Sequence, residues 1–300
     1  MEYTVLGPDR NFLALEPEHS SLERSRIVVV PAPYEYRTSF GKGTKQGPEA
    51  ILAASAHVET YDEEFDRELC YEVGLATLEP IFLDGLQDEA AIQAVESVVQ
   101  SLLQQGKFVV TLGGEHTIAL APIRAHFQAF PQMSLLQLDA HADLRPIYDG
   151  SPYSHACVMA RVLEFFPQER LVQVGVRALS REEMEFINQA KSCTFFAEAV
   201  RGSYFGERWY NMVLEKLGPE VYITLDVDVL DPSQMPATGT PEPNGLWYQE
   251  VIRLLRRIQR GGHRIIGFDI VEFAPIPGFH FPDITLARLV YKILNIALET

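Results

Sequence analysis

The chain reads as an α/β fold, and three observations in its 300 residues predict it. Short apolar runs alternate with longer segments whose apolar residues recur every three or four positions, the pattern of a mainly parallel sheet covered by helices. Two clusters, Asp139-Ala140-His141-Ala142-Asp143 and Asp226-Val227-Asp228, each begin where an apolar run ends, as expected at the rim of a sheet. No proline-, glycine- or serine-rich linker and no shift in composition divides the sequence, so residues 1–300 are expected to form one domain.

The elements follow in order. Strands are expected at Arg26 to Val30, Lys107 to Leu112, Met133 to Leu138, Leu171 to Val176, Val221 to Leu225 and Arg264 to Phe268, with two further runs near Glu72 to Leu75 and Cys193 to Phe196. These runs are short and rich in β-branched or bulky apolar side chains, as strands buried on both faces require. A helix is expected over Glu89 to Gln105, where Ile92, Val95, Val98, Val99, Leu102 and Leu103 share a face and Gly106 supplies the stop. His155 opens an apolar, helix-like run from Ala156 to Phe166. The last helix, Asp283 to Leu298, places Leu286, Leu289, Val290, Ile293, Leu294 and Ala297 on one face as core. Between the second acidic cluster and the next helix, Asp231 to Gly245 is long and proline-rich, and such loops in compact domains are more often functional than decorative.

Composition narrows the function. A hydrophobic fraction of 47% supports a large core, and a formal charge of −16 repels nucleic acid phosphates while favouring small cations. The three cysteines lack CxxC spacing and suit reduced core thiols. No basic start followed by an apolar stretch marks an exported chain, and no apolar run is long enough to span a bilayer. A cytoplasmic protein, with neither a membrane nor a nucleic acid as partner, is expected.

Chemistry concentrates at the strand ends. In an extended segment alternate side chains share a face, so Asp139, His141 and Asp143 can converge, as can Asp226 and Asp228. Open α/β sheets bind ligands beyond the carboxyl ends of their strands, and both clusters meet there if their strands are neighbours. Gly113-Gly114-Glu115-His116 follows another strand and brings His116 to the same mouth from a helix start. The set of two imidazoles and four carboxylates is too large for one ion. Such a mixed O/N set suits manganese or magnesium, with zinc, iron, cobalt or nickel as further candidates, and two ions roughly 3.5 to 4 Å apart would favour metal-assisted hydrolysis.

The segments GGEHTIAL, QLDAHADLR, YSHACVMARV, ITLDVDVLDPSQMPATGTPEPNGL and GFDIVEFAP, with PAPYEYRTSFGKGTKQGPEAI near the start, resemble in order and spacing the motifs of the arginase/agmatinase ureohydrolases. The resemblance implies a three-layer α/β/α fold around a mostly parallel eight-stranded sheet, two Mn2+ per chain, and hydrolysis of a guanidino group to urea and an amine. It implies that His116, Asp139, Asp143 and Asp226 hold one ion and Asp139, His141, Asp226 and Asp228 the other, with Asp139 and Asp226 bridging. His155 matches the family's proton-shuttling histidine, and Glu272 the glutamate that pairs with the guanidinium. Asp231 belongs to a motif and is expected to organise its loop. Homotrimers or homohexamers are also implied.

The resemblance bears on the substrate as well. Arginases carry an Asn two residues after the last Asp of DAHxD, where it helps hold the α-carboxylate, and this chain has Arg145 there. The arginase acid that holds the α-amino group corresponds to Ser180. Both departures argue against L-arginine, and the HADLR and SHA pattern resembles the agmatinase branch. Agmatine, hydrolysed to putrescine and urea, is therefore the expected substrate, with a place in polyamine biosynthesis. Arg145, a candidate substrate-binding residue, could instead meet the carboxylate of 4-guanidinobutyrate, while the acidic protein would suit a longer polyamine such as N(1)-aminopropylagmatine. Glu115 stands where many relatives have Asp, and Asn244 where Gly is common; neither change removes a ligand. Two alternatives are a zinc deacetylase-like amidohydrolase, which needs fewer ligands, and a non-catalytic binding relative. His116 and the intact acids, His155 and Glu272 argue against both.

Overall fold

Eight strands join in one sheet in the computed structural model, which describes residues 3–202 and 206–299. The first two residues of the N-terminal stretch expected to lack an export signal lie outside that range. The strands are β1 (Ile27–Ala32), β2 (Leu75–Thr77), β3 (Phe108–Gly113), β4 (Ser134–Leu138), β5 (Leu171–Val176), β6 (Cys193–Phe196), β7 (Glu220–Asp226) and β8 (Arg264–Val271). Their order is β2-β1-β3-β8-β7-β4-β5-β6, and every neighbouring pair is parallel.

Alternation along each strand sends side chains into two separate cores. Ile27 and Val29 pack into one, and Val28 and Val30 into the other. The first core is closed by α1 (Gly47–Ser55), with α6 (Tyr248–Arg260) and α7 (Phe281–Ala297) beside it. The second is closed by α2 (Glu89–Gln104), α3 (Leu120–Ala129) and α4 (Val158–Val162), with Ile187 of α5 (Arg181–Ala190). The architecture is therefore the three-layer α/β/α sandwich that the resemblance implied, with a sheet that is parallel throughout. Each large apolar side chain fully withdrawn from water contributes about 1.5–3 kcal/mol, so both helical layers are held by the sheet's own alternation.

Local departures from the sequence reading have physical causes. Glu72 and Val73, expected to start a strand, end a short helix over Leu69–Val73. Gly74 then turns the chain with φ 70°, where a Cβ would stand 2.9 Å from Ser25 Cα, and β2 starts one residue later. The apolar run after His155 forms only a 3-10 turn (His155–Cys157) and the short α4, rather than a helix reaching Phe166. Helix α7 begins at Phe281, ahead of the expected Asp283, because Pro282 suits a first helical turn that needs no N–H there.

The strand order builds the site. β4 and β7 are neighbours, with Leu138 opposite Leu225, so Asp139 and Asp226 leave the sheet side by side. β8 lies between β7 and β3, which places Glu272, just past its end, near His116, just past β3.

Candidate metal centre

Asp139 and Asp226 are buried, and each uses one oxygen to fold its own loop. Asp139 Oδ1 accepts the His141 N–H at 2.6 Å, and Asp226 Oδ1 accepts the Asp228 N–H at 2.8 Å. Asp228 Oδ1 accepts the Ala140 N–H at 3.0 Å and so ties the two clusters together. The spacing of two in D-x-H and D-x-D thus has a local cause: the first acid caps the turn that aims the third residue inward. Asp143 sits at φ 54°, a left-handed conformation that Asp tolerates better than most residues, and this turns its carboxylate back towards His116.

His116 Nδ1 is the focus of the first group. It lies 2.9 Å from Asp143 Oδ2, 3.1 Å from Asp139 Oδ2 and 3.4 Å from Asp226 Oδ2. None of these contacts has hydrogen-bond geometry, so a fully buried nitrogen faces three carboxylates without a hydrogen-bond partner. His141 Nδ1 is the focus of the second group, 2.9 Å from Asp228 Oδ2 and 3.6 Å from Asp139 Oδ1. Donor atoms of His116, Asp139 and Asp226 lie within 4.8 Å of one another, as do those of Asp139, His141 and Asp228. Asp139 belongs to both groups, whereas Asp226 belongs to the first alone.

The charges leave the cluster short of positive charge. Burial works against the charged forms of His116, His141, Asp139, Asp143 and Asp226. It lowers the His116 pKa, but the surrounding carboxylates raise it well above its ordinary value. Burial also opposes charge on His141, yet Asp228 and Asp139 push its pKa up to about 12. Burial and the Asp139 charge push Asp143 up to about 7, and burial with Asp228 and Asp139 pushes Asp226 well above the carboxylate range. For Asp139 the two imidazoles outweigh burial and hold the pKa below its ordinary value. Divalent cations would replace these protons. The orphaned His116 Nδ1, the orphaned Asp228 Oδ2 and the mixed carboxylate–imidazole set fit such ions.

The two residues read as catalytic stand at the same rim. Glu272 is buried at φ 63°, and its Oε1 accepts the His116 N–H at 2.6 Å. Burial raises its pKa to about 8, against that hydrogen bond and with help from the nearby Glu115 charge. His155 Nδ1 donates to the Arg37 carbonyl at 2.9 Å. Its Nε2 is therefore the bare nitrogen and takes the Ser39 hydroxyl at 3.2 Å. Burial holds the His155 pKa below its ordinary value despite the Arg37 bond, so the ring is neutral near pH 7.

A pocket of about 250 Å3 opens beside His155 and includes His141, Asp143, Arg145, Tyr148 and Glu242 in its wall. Arg145 is already engaged: its Nε lies 3.4 Å from Glu183 Oε2, and its guanidinium covers the Tyr148 ring at 4.9 Å. Glu183 in turn accepts the Leu144 and Ser180 N–H groups at 3.0 and 2.7 Å. The Ser180 that replaces an arginase acid caps α5 instead. Asp231 organises its loop as expected, accepting from Ser233 and from the Gly245 N–H. Asn244 has φ 66°, which explains why glycine is common at that place and why Asn can substitute. Arg177 is structural, donating to the carbonyls of Asp228 and Glu242 at 2.6 and 2.8 Å. His280 lies away from this pocket; its exposed ring meets Asp283.

The sequence reading missed several supports. Glu115 Oε2 accepts the N–H groups of Tyr36 and Arg37 at 2.6 and 2.7 Å, fixing the loop that carries Ser39 and the carbonyl partner of His155. Gly114 makes this possible: a Cβ there would stand 1.9 Å from the Tyr34 carbonyl oxygen. A row across three strands runs from half-buried Thr194 through buried Gln173 to buried Gln137, whose amide donates to Asp139 Oδ2 at 2.7 Å. Buried glutamines at matching places in adjacent strands are the one signal that could have pointed to it.

An all-parallel α/β/α sheet with two linked imidazole–carboxylate groups at its carboxyl rim defines the class: a hydrolase built on a candidate metal pair. The chain belongs to the arginase family, whose model, described as "Arginase family", matches residues 25–295. It is 40% identical over 276 residues to the N(1)-aminopropylagmatine ureohydrolase of Thermus thermophilus, covering 91% of each chain. It is 32% identical over 257 residues to the agmatinase of Halalkalibacterium halodurans, covering 85% of this chain and 86% of that one. The structure of agmatine ureohydrolase of Thermoplasma volcanium superposes with a TM-score of 0.83 at 30% identity, over 100% of this chain and 96% of that one. The chain is thus a ureohydrolase.

Proposed function

We propose that this ureohydrolase hydrolyses the guanidino group of N(1)-aminopropylagmatine, releasing urea and the corresponding polyamine. One observation carries the substrate class: the pocket's fixed charge is negative. Arg145 is neutralised by Glu183, whereas Glu242 has no hydrogen-bond or ion-pair partner for its carboxylate among the described residues. A guanidino acid would need a free cation that the wall does not offer, while an amine-bearing chain would meet Glu242. The higher identity to the Thermus protein, named for the aminopropyl compound, supports the longer amine over agmatine. Agmatine itself is the second reading, supported by the resemblance to agmatinases and by the same carboxylate.

In this reading His116, Asp139, Asp143 and Asp226 would hold one Mn2+, and Asp139, His141 and Asp228, with Asp226 as the resemblance implies, would hold the other. When bound, the pair supplies Lewis-acid activation of the attacking water. Glu272 receives the substrate's planar cation, which favours its charged form despite burial. Ser39 and the Arg37 carbonyl hold the His155 ring so that neutral Nε2 faces the pocket, where it can take a proton and pass it to the departing amine.

The test is urea release by the manganese-loaded chain over N(1)-aminopropylagmatine, agmatine, L-arginine, 4-guanidinobutyrate and formimidoylglutamate. Turnover is expected to be fastest on the aminopropyl compound, with Glu242→Gln raising KM for both amines. A preference for 4-guanidinobutyrate would overturn the substrate class, and silence on all five would overturn the reaction.

A further inference from the structure

Behind His116, on the Nε2 side of its ring, lies a carboxylate that none of the roles above employs. Asp269 is fully buried in the middle of β8, in register with Thr224 of β7 on one side and Thr111 of β3 on the other. Its Oδ2 accepts the Tyr222 hydroxyl at 2.8 Å, and its Oδ1 accepts the Thr224 hydroxyl at 2.8 Å. Thr224 Oγ1 also lies 3.1 Å from His116 Nε2.

Proton counting fixes the direction of this chain. A hydroxyl has one proton, and Thr224 gives it to Asp269, so towards His116 its oxygen offers only lone pairs. His116 Nε2 must then carry the N–H, which leaves Nδ1 as the nitrogen without a proton in the neutral ring. That is the same Nδ1 that faces Asp139, Asp143 and Asp226 without a hydrogen-bond partner. A ligating imidazole needs one bare nitrogen and an ordered ring, and the group behind it decides which nitrogen that is.

We propose that Asp269 is a positioning residue for the metal centre. Acting through Thr224, it holds His116 in the Nε2–H tautomer and presents Nδ1 to the ion. It touches neither ion nor substrate. The chain crosses two strands in register, so it depends on the same pairing of β7 with β8 that closes the sheet. This inference rests on the binuclear reading of the site but not on any choice of substrate.

The experiment measures Mn2+ binding by equilibrium dialysis on the full chain without substrate, comparing the unaltered protein with Thr224→Val, Thr224→Ser and Asp269→Asn. Valine keeps the shape of threonine and removes only the relay, so it serves if the Asp269 variant does not fold. Thr224→Val and Asp269→Asn should each weaken one of the two ions by about 10–100-fold and leave the other within about twofold. Thr224→Ser should restore the unaltered affinity. The proposal is overturned if Thr224→Val, with an unchanged far-ultraviolet spectrum, binds both ions as tightly as the unaltered chain. It is equally overturned if serine loses as much as valine, which would make the site a matter of packing. Failure of the unaltered chain to bind manganese would defeat this inference together with the binuclear reading. Normal binding by the valine variant would defeat the inference alone.

Discussion

The backbone N–H of His116 donates to Glu272 Oε1 at 2.6 Å, although the two residues are 156 positions apart. The acid proposed to receive the guanidinium is therefore braced by the residue proposed to hold an ion. Position of the substrate's carbon and position of the metal are set by one hydrogen bond. Glu272 meets this bond only at φ 63°, a conformation costing about 1 kcal/mol or more for a residue with a side chain.

Replacing Glu272 with Gln keeps an acceptor for the His116 N–H and removes the charge. We expect kcat/KM to fall by at least about 30-fold, since truncating a desolvated charge pair costs roughly 2–5 kcal/mol. Manganese content should stay at the unaltered value. Steady-state urea release and metal analysis on the same preparation check this, and a loss of metal would move Glu272 into the ligand set.

Asp139→Asn or Asp226→Asn should abolish urea release and reduce bound manganese, because Asp139 lies against both imidazoles and Asp226 against that of His116, and each change removes a charged ligand from a buried group. Retained turnover in both variants would defeat the bridging assignment.

His155→Asn should lower kcat by about 100- to 10,000-fold at neutral pH with metal content unchanged. Burial depresses the His155 pKa, so its neutral form persists below the usual histidine range. The acidic limb of the kcat/KM profile should lie below about pH 6.5 and disappear in the variant. Ser39→Ala, which removes only the partner of Nε2, should have a smaller effect.

A pH effect on folding is expected far from the rim. His126 of α3 is fully buried, its Nδ1 donates to the Pro122 carbonyl at 2.7 Å, and its ring packs 4.3 Å from that of Tyr222. Burial depresses its pKa to about 4. Between pH 6.5 and about 4 the unfolded chain binds this proton and the folded chain does not. The stabilising contribution is thus complete above about pH 6.5 and is lost as pH falls, by roughly 3 kcal/mol in all. Denaturant unfolding at stepped pH should show a shallower decline in His126→Gln, and identical slopes would refute the assignment.

Much of the rim was legible because a strand signal and an acid cluster adjoin in the sequence. Asp139 and Asp226 announce themselves as charges ending apolar runs, and their register as neighbours followed once β4 and β7 paired. The supports were not legible, since each owes its role to a distant partner. Glu115 serves a loop 79 positions earlier, Ser39 meets a histidine 116 positions later, and Arg145 reads as a free cation until Glu183 folds beside it. Asp269 lay within a quoted motif, yet only the alignment of β7 with β8 gives it Thr224 and, through it, His116. Glu72 and Val73 read as strand because helix and strand are nearly indistinguishable in so short an apolar stretch, and Gly74 settles the matter by its backbone.

The place of β8 has a consequence for the timing of synthesis. It is the last of the eight described strands in chain order, yet it lies between β3 and β7 in the sheet. Until it arrives, His116 has no strand linking it to the acids after β4 and β7, and the Glu272 brace does not exist. A growing chain can gather the His141 group early but cannot complete the His116 group. An ion held at His116 is therefore a signature of a chain in which β8 has taken its place between β3 and β7.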